Sequence, residues 1–376
     1  MRIGLDVRYL SHGLVGGIHT YLTNLIPALM QATTAHQVFL YADTKRPFDL
    51  KEIPPHVTLR LLPYRNPLSS FAHDFRMWRI MAQDNLDIAH FTGNYGFGKA
   101  ARRTLITLHD EINVMPWWEI IKGHPKNAKT VLMMTYLHYC SSKTVPRADA
   151  VLTVSEHAKR QIAHHAPVAP DRILPVPHGC PRDMWLVQDE AQLAEVRQRF
   201  DLKRPFILAD ARKNPDVILR AWRKLPEKWQ REREIIFFCR EAAVRPAVHE
   251  AVDAGYAQLF VRASRDELRA LFNMAEIFVF PSWIEGFGIP LVEAMTCGAP
   301  IIASDRGSIP EVVGEAGLIM DAEDDEKLRE YLLCLFEQPE ERQRLRQLGL
   351  HRAPIFTWAN AARKHLDIYE QVLGTG

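Results

Sequence analysis

Two glutamates, Glu285 and Glu293, stand eight positions apart around Gly286, Phe287, Gly288 and Pro290. An apolar run, Ile277 to Phe280, leads in, Pro281 and Ser282 break it, and a helical pattern starts near Ile289 or Pro290. The order strand, glycine loop, helix leaves backbone N–H groups free to face an anion, with the helix dipole behind them. Proline in the first helical turn costs nothing, because its missing N–H had no intrahelical partner. The segment therefore suits a phosphate. Carboxylates repel phosphate, so the two acids must serve another part of the same ligand. Sugar hydroxyls, which carboxylates accept strongly, are the natural candidates. A plain strand–turn–helix with solvated acids is the competing reading. GFGIP between the glutamates and EAMTCGAP from the second one make the text far more specific than two acids alone.

Other residues could join such chemistry. Arg212 and Lys213 follow an apolar strand, in ILADARKNPD. Two cations at the end of a parallel strand can grip a diphosphate, Arg through a planar fork and Lys as a compact charge. A lone Arg-Lys pair is otherwise a solvated turn. His109 and Asp110 follow the strand TLITL. A histidine there can hydrogen-bond a transferred sugar, or it is simply a polar residue, while Asp110 is better placed to buttress loops. Gly13, Gly16 and Gly17 lie in SHGLVGGIHTY, where glycine lets backbone approach a ligand closely. A simple turn explains them too, and the spacing is not the G-x-G-x-x-G of dinucleotide sites. Ser155 reads as a helix cap and His178-Gly179 as a structural turn. Ser304, Asp305, Ser308 and Glu311 follow a later strand and could line the same site.

The elements that must position these residues alternate. Ile3–Val7, Gln37–Tyr41, Val57–Leu62, Ile88–Phe91, Thr104–Leu108, Val151–Val154 and Arg172–Val176 read as strands, with helical periodicity over Thr20–Met30 and after Ser155. Residues 181–204 are polar, apart from a short helix over Glu190–Phe200. A second set follows: Phe206–Ala209, Ile235–Phe238, Leu259–Arg262, Ile277–Phe280, Ile301–Ala303 and Gly317–Met320. Strands separated by helix-length segments imply parallel sheets, hence two Rossmann-like α/β domains in tandem. Ligands of such sheets sit beyond the carboxyl ends of the strands.

Composition agrees with this class. The 376 residues exceed one ordinary core and fit two domains, and 47% hydrophobic with 24% charged content is globular. A net charge of +2 gives no reason to expect nucleic-acid binding. Five scattered cysteines without a C-x-x-C read as a reducing compartment with no zinc or disulfide framework. MRIGLDVRYL lacks the pattern of a signal peptide, and no apolar run is long enough to span a membrane. These point to a cytoplasmic protein. FAHDFRMWRIMAQ and HPKNAKTVLMMTYLHYCSSK mix aromatic, aliphatic and basic residues. They leave open a peripheral contact at the inner face of a membrane. Core-packing helices with solvated faces are the preferred reading.

Pro281, Ser282, Glu285, Gly286, Phe287, Gly288, Pro290, Glu293, Ala294, Gly298, Pro300, Pro310, Glu311 and Val312 together resemble the donor-binding signature of the retaining GT-B glycosyltransferases, family 4. The resemblance implies a GT-B fold, with two Rossmann-like domains whose parallel sheets face a central cleft. Residues 1–180, completed by a C-terminal helix at about 359–376, would form the acceptor-binding domain, and 181–358 the nucleotide-sugar domain. It implies hexosyl transfer with retention from a nucleotide diphosphate sugar, GDP-mannose as first guess, to a glycan or lipid-linked acceptor. No metal and no separate cofactor would be needed. Glu285 would hold donor sugar hydroxyls and Glu293 the ribose. Arg212 and Lys213 would hold the leaving pyrophosphate. Gly16 and Gly17 would face the phosphate and acceptor, and His109 the transferred sugar, with Trp117 and Trp118 near the acceptor. The loop before Arg212 is shorter than in the family and lacks its glycine. That keeps a second reading, a catalytically weakened member serving as a binding or scaffold partner. The oligomeric state stays open.

Overall fold

The computed structural model describes all residues except 13–15, 46–51, 123–126, 242 and 375–376. The chain divides into two compact units, Met1–Gly179 with Trp358–Gly376, and Cys180–Thr357. Gly13 lies outside the described residues.

In chain order the first unit runs β1 (Arg2–Asp6), α1 (Gly17–Ala32), β2 (Gln37–Asp43), β3 (Val57–Leu62), α2 (Pro67–Ala82), β4 (Ile88–Phe91), β5 (Arg103–Thr107), α3 (Trp117–Lys122), α4 (Ala128–Thr144), β6 (Ala150–Thr153), α5 (Glu156–His165) and β7 (Ile173–Pro175). The second runs α6 (Glu190–Arg199), β8 (Phe206–Asp210), α7 (Pro215–Arg223), α8 (Glu227–Glu232), β9 (Glu234–Cys239), α9 (Pro246–Asp253), β10 (Ala257–Val261), α10 (Arg265–Met274), β11 (Ile277–Phe280), α11 (Ile289–Cys297), β12 (Ile301–Ser304), α12 (Ile309–Val313), β13 (Gly317–Met320), α13 (Asp325–Glu337) and α14 (Pro339–Arg352). The last helix, α15 (Trp358–Leu373), rejoins the first unit and packs along α1.

Both sheets are parallel. Their orders are β3-β2-β1-β4-β5-β6-β7 and β10-β9-β8-β11-β12-β13. Parallel strands covered on both faces are largely apolar, and β4, β6, β11 and β12 are buried at every position. In each sheet the chain winds outward and then returns to the other side of its first strand. The reversal falls between β1 and β4 in one unit and between β8 and β11 in the other. Such a switch point opens a crevice past the strand ends. The segments after β8 and β11 carry Lys213 and Glu285.

The capping chemistry is local and legible. Ser155 accepts from the Ala158 N–H at the start of α5. α10 opens with a reciprocal Ser264–Glu267 capping box.

Candidate functional site

In the second unit the basic turn is built by Asp210. Its carboxylate accepts the Arg212 N–H at 2.9 Å, and its carbonyl accepts the Lys213 N–H at 3.0 Å. A side chain thus closes a turn that contains no glycine. Burial pushes the Asp210 carboxyl up, against the pull of the Arg212 N–H and the two cations. Asn214 then takes a left-handed conformation, φ 52°, and its amide donates to the Ala322 carbonyl at 2.7 Å. α7 starts from that fixed point.

The turn delivers Lys213 to Glu285, with Nζ 2.5 Å from Oε1. Ser282 Oγ donates to the same oxygen at 3.0 Å. The Glu285 backbone is gripped as well. The N–H and hydroxyl of Ser308 both donate to its carbonyl, at 3.1 and 3.2 Å. Gly307 closes over it at φ +59°, where an added Cβ would lie 2.4 Å from the Glu285 carbonyl oxygen. Only glycine fits that approach and that conformation. Ser304 supports the loop from beneath by donating to the Ser282 carbonyl at 2.6 Å. Gly288, φ 89°, precedes α11 and supplies no side-chain cap, and no acid occupies the helix's first turn. Phe287 is buried and meets Phe356 edge-on. It anchors the loop, with Gly286 between it and Glu285.

Glu293 lies on α11 with its side chain 7% exposed, and Arg265 NH2 reaches its Oε1 at 2.7 Å. The same guanidinium holds Asp183 in a two-pronged contact, 2.9 and 2.8 Å. Burial works against the Arg265 charge, but Asp183 and Glu293 outweigh it and hold the guanidinium above its ordinary value. Arg212 faces outward and meets Glu241 at 3.7 Å, with both side chains more than half exposed. The structure therefore brings Lys213, Glu285 and the α11 start together. It leaves Arg212 at the rim and gives Glu293 a partner of its own. Sequence reading missed Arg265 and Gly307. S-R-D-E reads as a helix start, and D-R-G-S reads as an ordinary turn.

In the first unit His109 follows β5 and is buried. Its N–H donates to Asn94 Oδ1 at 3.1 Å, and ring Nε2 lies 3.0 Å from the Thr92 carbonyl. A carbonyl only accepts, so Nε2 carries the hydrogen and Nδ1 the lone pair. Burial lowers the pKa to about 4, so the ring is neutral near pH 7. Tyr21 of α1 stands edge-on to it, with centroids 4.8 Å apart. Gly16 precedes α1 in extended backbone and Gly17 is its first residue. A Cβ built on either meets nothing within 4 Å. Packing thus gives no reason for glycine at these two positions.

A buried polar chain lies behind His109. His365 Nδ1 is 2.7 Å from the Ala361 carbonyl and so carries a hydrogen, leaving Nε2 to accept from the Tyr21 hydroxyl at 3.0 Å. Thr107 lies 3.4 Å from that hydroxyl and 2.7 Å from His90 Nε2, and the Tyr369 hydroxyl is 2.7 Å from His90 Nδ1. One direction satisfies every donor: Tyr369 to His90, His90 to Thr107, Thr107 to Tyr21, Tyr21 to His365, and His365 to the α15 backbone. Burial also lowers the pKa of His90, His178 and His365, the last to about 4.

Residues 208–352 match the family described as Glycosyl transferases group 1, and residues 15–183 match Glycosyltransferase Family 4. The chain is 27% identical over 297 residues to O-antigen chain mannosyltransferase B of Escherichia coli, covering 77% of this chain and 75% of that protein. It is also 27% identical over 240 residues to the serotype-specific mannosyltransferase WbdA of Escherichia coli. That match covers 60% of this chain and 29% of that much longer protein. Among solved structures, sucrose-phosphate synthase of Thermosynechococcus elongatus superimposes with a TM-score of 0.73 at 19% identity, over all of both chains. The chain belongs to the group 1, family 4 glycosyltransferases and has their GT-B fold.

Proposed function

We propose that this chain transfers a hexosyl group, mannose first, from a nucleotide diphosphate sugar such as GDP-mannose to a glycan or lipid-linked acceptor, with retention and without a metal ion. The observation that carries the reading is the Lys213–Glu285 contact, set at the switch point of the second sheet beside the uncapped start of α11. A cation and an open helix start favour a diphosphate, and an adjacent carboxylate favours hydroxyls.

In this reading Lys213 and the α11 N–H groups neutralise the departing diphosphate, with Arg212 closing in from the rim. Lys213 and Ser282 both contact Glu285 Oε1, so Oε2 serves the donor sugar. Arg265 holds one oxygen of Glu293 and orients the other toward ribose hydroxyls. His109 offers its Nδ1 lone pair to a sugar hydroxyl, and the backbone at Gly16 and Gly17 admits a phosphate or the acceptor. The acceptor oxygen bonds to the anomeric carbon as the bond to the diphosphate breaks. The acceptor's proton passes to the leaving phosphate oxygen on the same face, so no protein nucleophile is required. The mannosyl preference draws on the names of the relatives.

The test is incubation with GDP-, UDP- and dTDP-sugars, with and without chelator, following nucleoside diphosphate release and the anomeric configuration of the product. Transfer that survives chelation with retained configuration supports the proposal. Inversion, or loss with chelator, contradicts it. A second reading, donor binding without turnover, is favoured by the glycine-free turn and by Lys213 being already paired. Saturable donor binding with no product under any donor would establish it.

A further inference from the structure

Asn94, in the loop after β4, ties three parts of the first unit together. Its backbone is left-handed, φ +70°. Its N–H donates to the carbonyl of Thr107, the last residue of β5, at 2.9 Å. Its carbonyl accepts from the Ser141 hydroxyl of α4 at 3.1 Å. Its Oδ1 accepts the His109 N–H at 3.1 Å. The ladder between β4 and β5 ends with Phe91 beside Ile106. Past that point the Asn94 side chain stands in for a strand carbonyl and carries the pairing on to His109.

The same loop also holds the ring. The Thr92 carbonyl lies 3.0 Å from His109 Nε2, and the Thr92 hydroxyl donates to the carbonyl of Asp6, the last residue of β1, at 2.6 Å. On the far side of Asn94, the Tyr95 hydroxyl donates to Asp74 at 3.0 Å, and Arg8 holds that carboxylate at 3.0 Å. Residues 92–94 thus grip His109 twice, by its backbone and by its ring, and are themselves fixed on both sides. The two grips depend on each other. The ring stays on the Thr92 carbonyl while the His109 backbone stays in register with the loop. A hydrogen at Nε2 leaves Nδ1 bare, and the hydrogen bond at one ring nitrogen decides what the other can do. With the backbone released, the imidazole is free to take the other tautomer, whose Nδ1–H cannot accept.

Asparagine meets two demands here. It tolerates positive φ better than most residues, and its short side chain offers a carbonyl oxygen. Glycine meets the first demand alone, and aspartate meets both. We propose that Asn94 is a positioning residue of the site: by holding the His109 N–H it fixes the ring on the Thr92 carbonyl and keeps Nδ1 a bare acceptor. The inference rests on the reading that this lone pair meets a hydroxyl of the transferred sugar. The competing account is a turn residue and nothing more, which glycine would satisfy equally.

The test compares Asn94→Gly and Asn94→Asp in the full chain carrying nitrogen-15-labelled histidine, with the His109 signals assigned by their loss in His109→Gln. Nitrogen shifts separate a ring N–H from a bare nitrogen without any donor present. The wild type should show Nε2–H and a bare Nδ1 at pH 7. Asn94→Gly should show a mixture of tautomers and lose roughly 10–100-fold in kcat/KM, the scale for a displacement of about 1 Å. Glycine suits a left-handed turn, so the fold should hold, and circular dichroism checks it. Asn94→Asp should keep the Nε2–H tautomer and recover most of the loss. Nδ1–H in the wild type, an unchanged tautomer in Asn94→Gly, or a loss in Asn94→Asp equal to that in the glycine variant would overturn the proposal. Should Asn94→Gly not fold, a changed tautomer in Asn94→Asp would still overturn it. Tautomers that move as stated in a chain that transfers no sugar would support the positioning and sink the transfer reading instead.

Discussion

Replacing Arg265 with alanine should expose how the acid on α11 is held. Glu293 is 7% exposed and its close cation is Arg265, which is itself 37% exposed and shared with Asp183. Removing one partner of a buried pair costs about 3–5 kcal/mol, because the remaining charge is left without compensation. Solvent at the arginine and at Asp183, which is 41% exposed, lowers that to roughly 2–4 kcal/mol here. Urea unfolding followed by circular dichroism measures the loss. Arg265→Ala combined with Glu293→Gln should recover about 1–2 kcal/mol of it, since the orphaned charge is gone. On the proposed function, the single variant also raises the donor KM more than it lowers kcat, because Arg265 touches no reacting atom. Strict additivity of the two changes, within about 0.5 kcal/mol, would refute the claim that Arg265 exists to hold Glu293.

Three further outcomes follow from the geometry. The pKa values of His109 and His365 lie at about 4 in the fold against 6.5 in the unfolded chain. Stability should therefore be full above pH 6.5 and fall as pH drops toward 4, by about 3 kcal/mol for each group. A urea midpoint that stays constant from pH 7.5 to 5 would contradict this. Gly307→Ala forces a Cβ to 2.4 Å from the Glu285 carbonyl oxygen at positive φ, so it should cost at least about 1–2 kcal/mol and remove most transfer activity. A fully active, fully stable variant would show that the Glu285 loop tolerates displacement. Gly17→Ala meets no atom and sits in a helix, so stability should hold or rise by up to about 1 kcal/mol. Lost transfer would then report a ligand against that backbone, and unchanged transfer would remove Gly17 from the site.

Strand periodicity and the local caps were legible in the text. Ile277–Phe280, Val57–Leu62 and Gly317–Met320 fall where the apolar runs place them, and Ser155 caps α5 as its type predicts. The pairing of Lys213 with Glu285 was not, although both were candidates. They are far apart in the chain, and the sheet's return past β8 is what joins them. Arg265 was hidden for the same reason, since a capping box explains its neighbours without it. The Tyr21–His365 and His90–Tyr369 contacts link residues hundreds of positions apart, and isolated histidines carry no spacing signal. In α2 and α4 periodicity tells which residues share a face. Asp74 of α2 meets Arg8 and the Tyr136 hydroxyl of α4 only through tertiary contacts, which periodicity does not announce.

The measurement closest to the central claim is the turnover of Lys213→Ala at saturating GDP-mannose, beside its urea stability. If Lys213 meets the charge that develops on the leaving diphosphate, kcat falls about 10²–10³-fold while the fold is kept. A variant that turns over within about twofold of the wild type would contradict it, because transition-state charge stabilisation of about 3–4 kcal/mol cannot vanish without slowing the reaction.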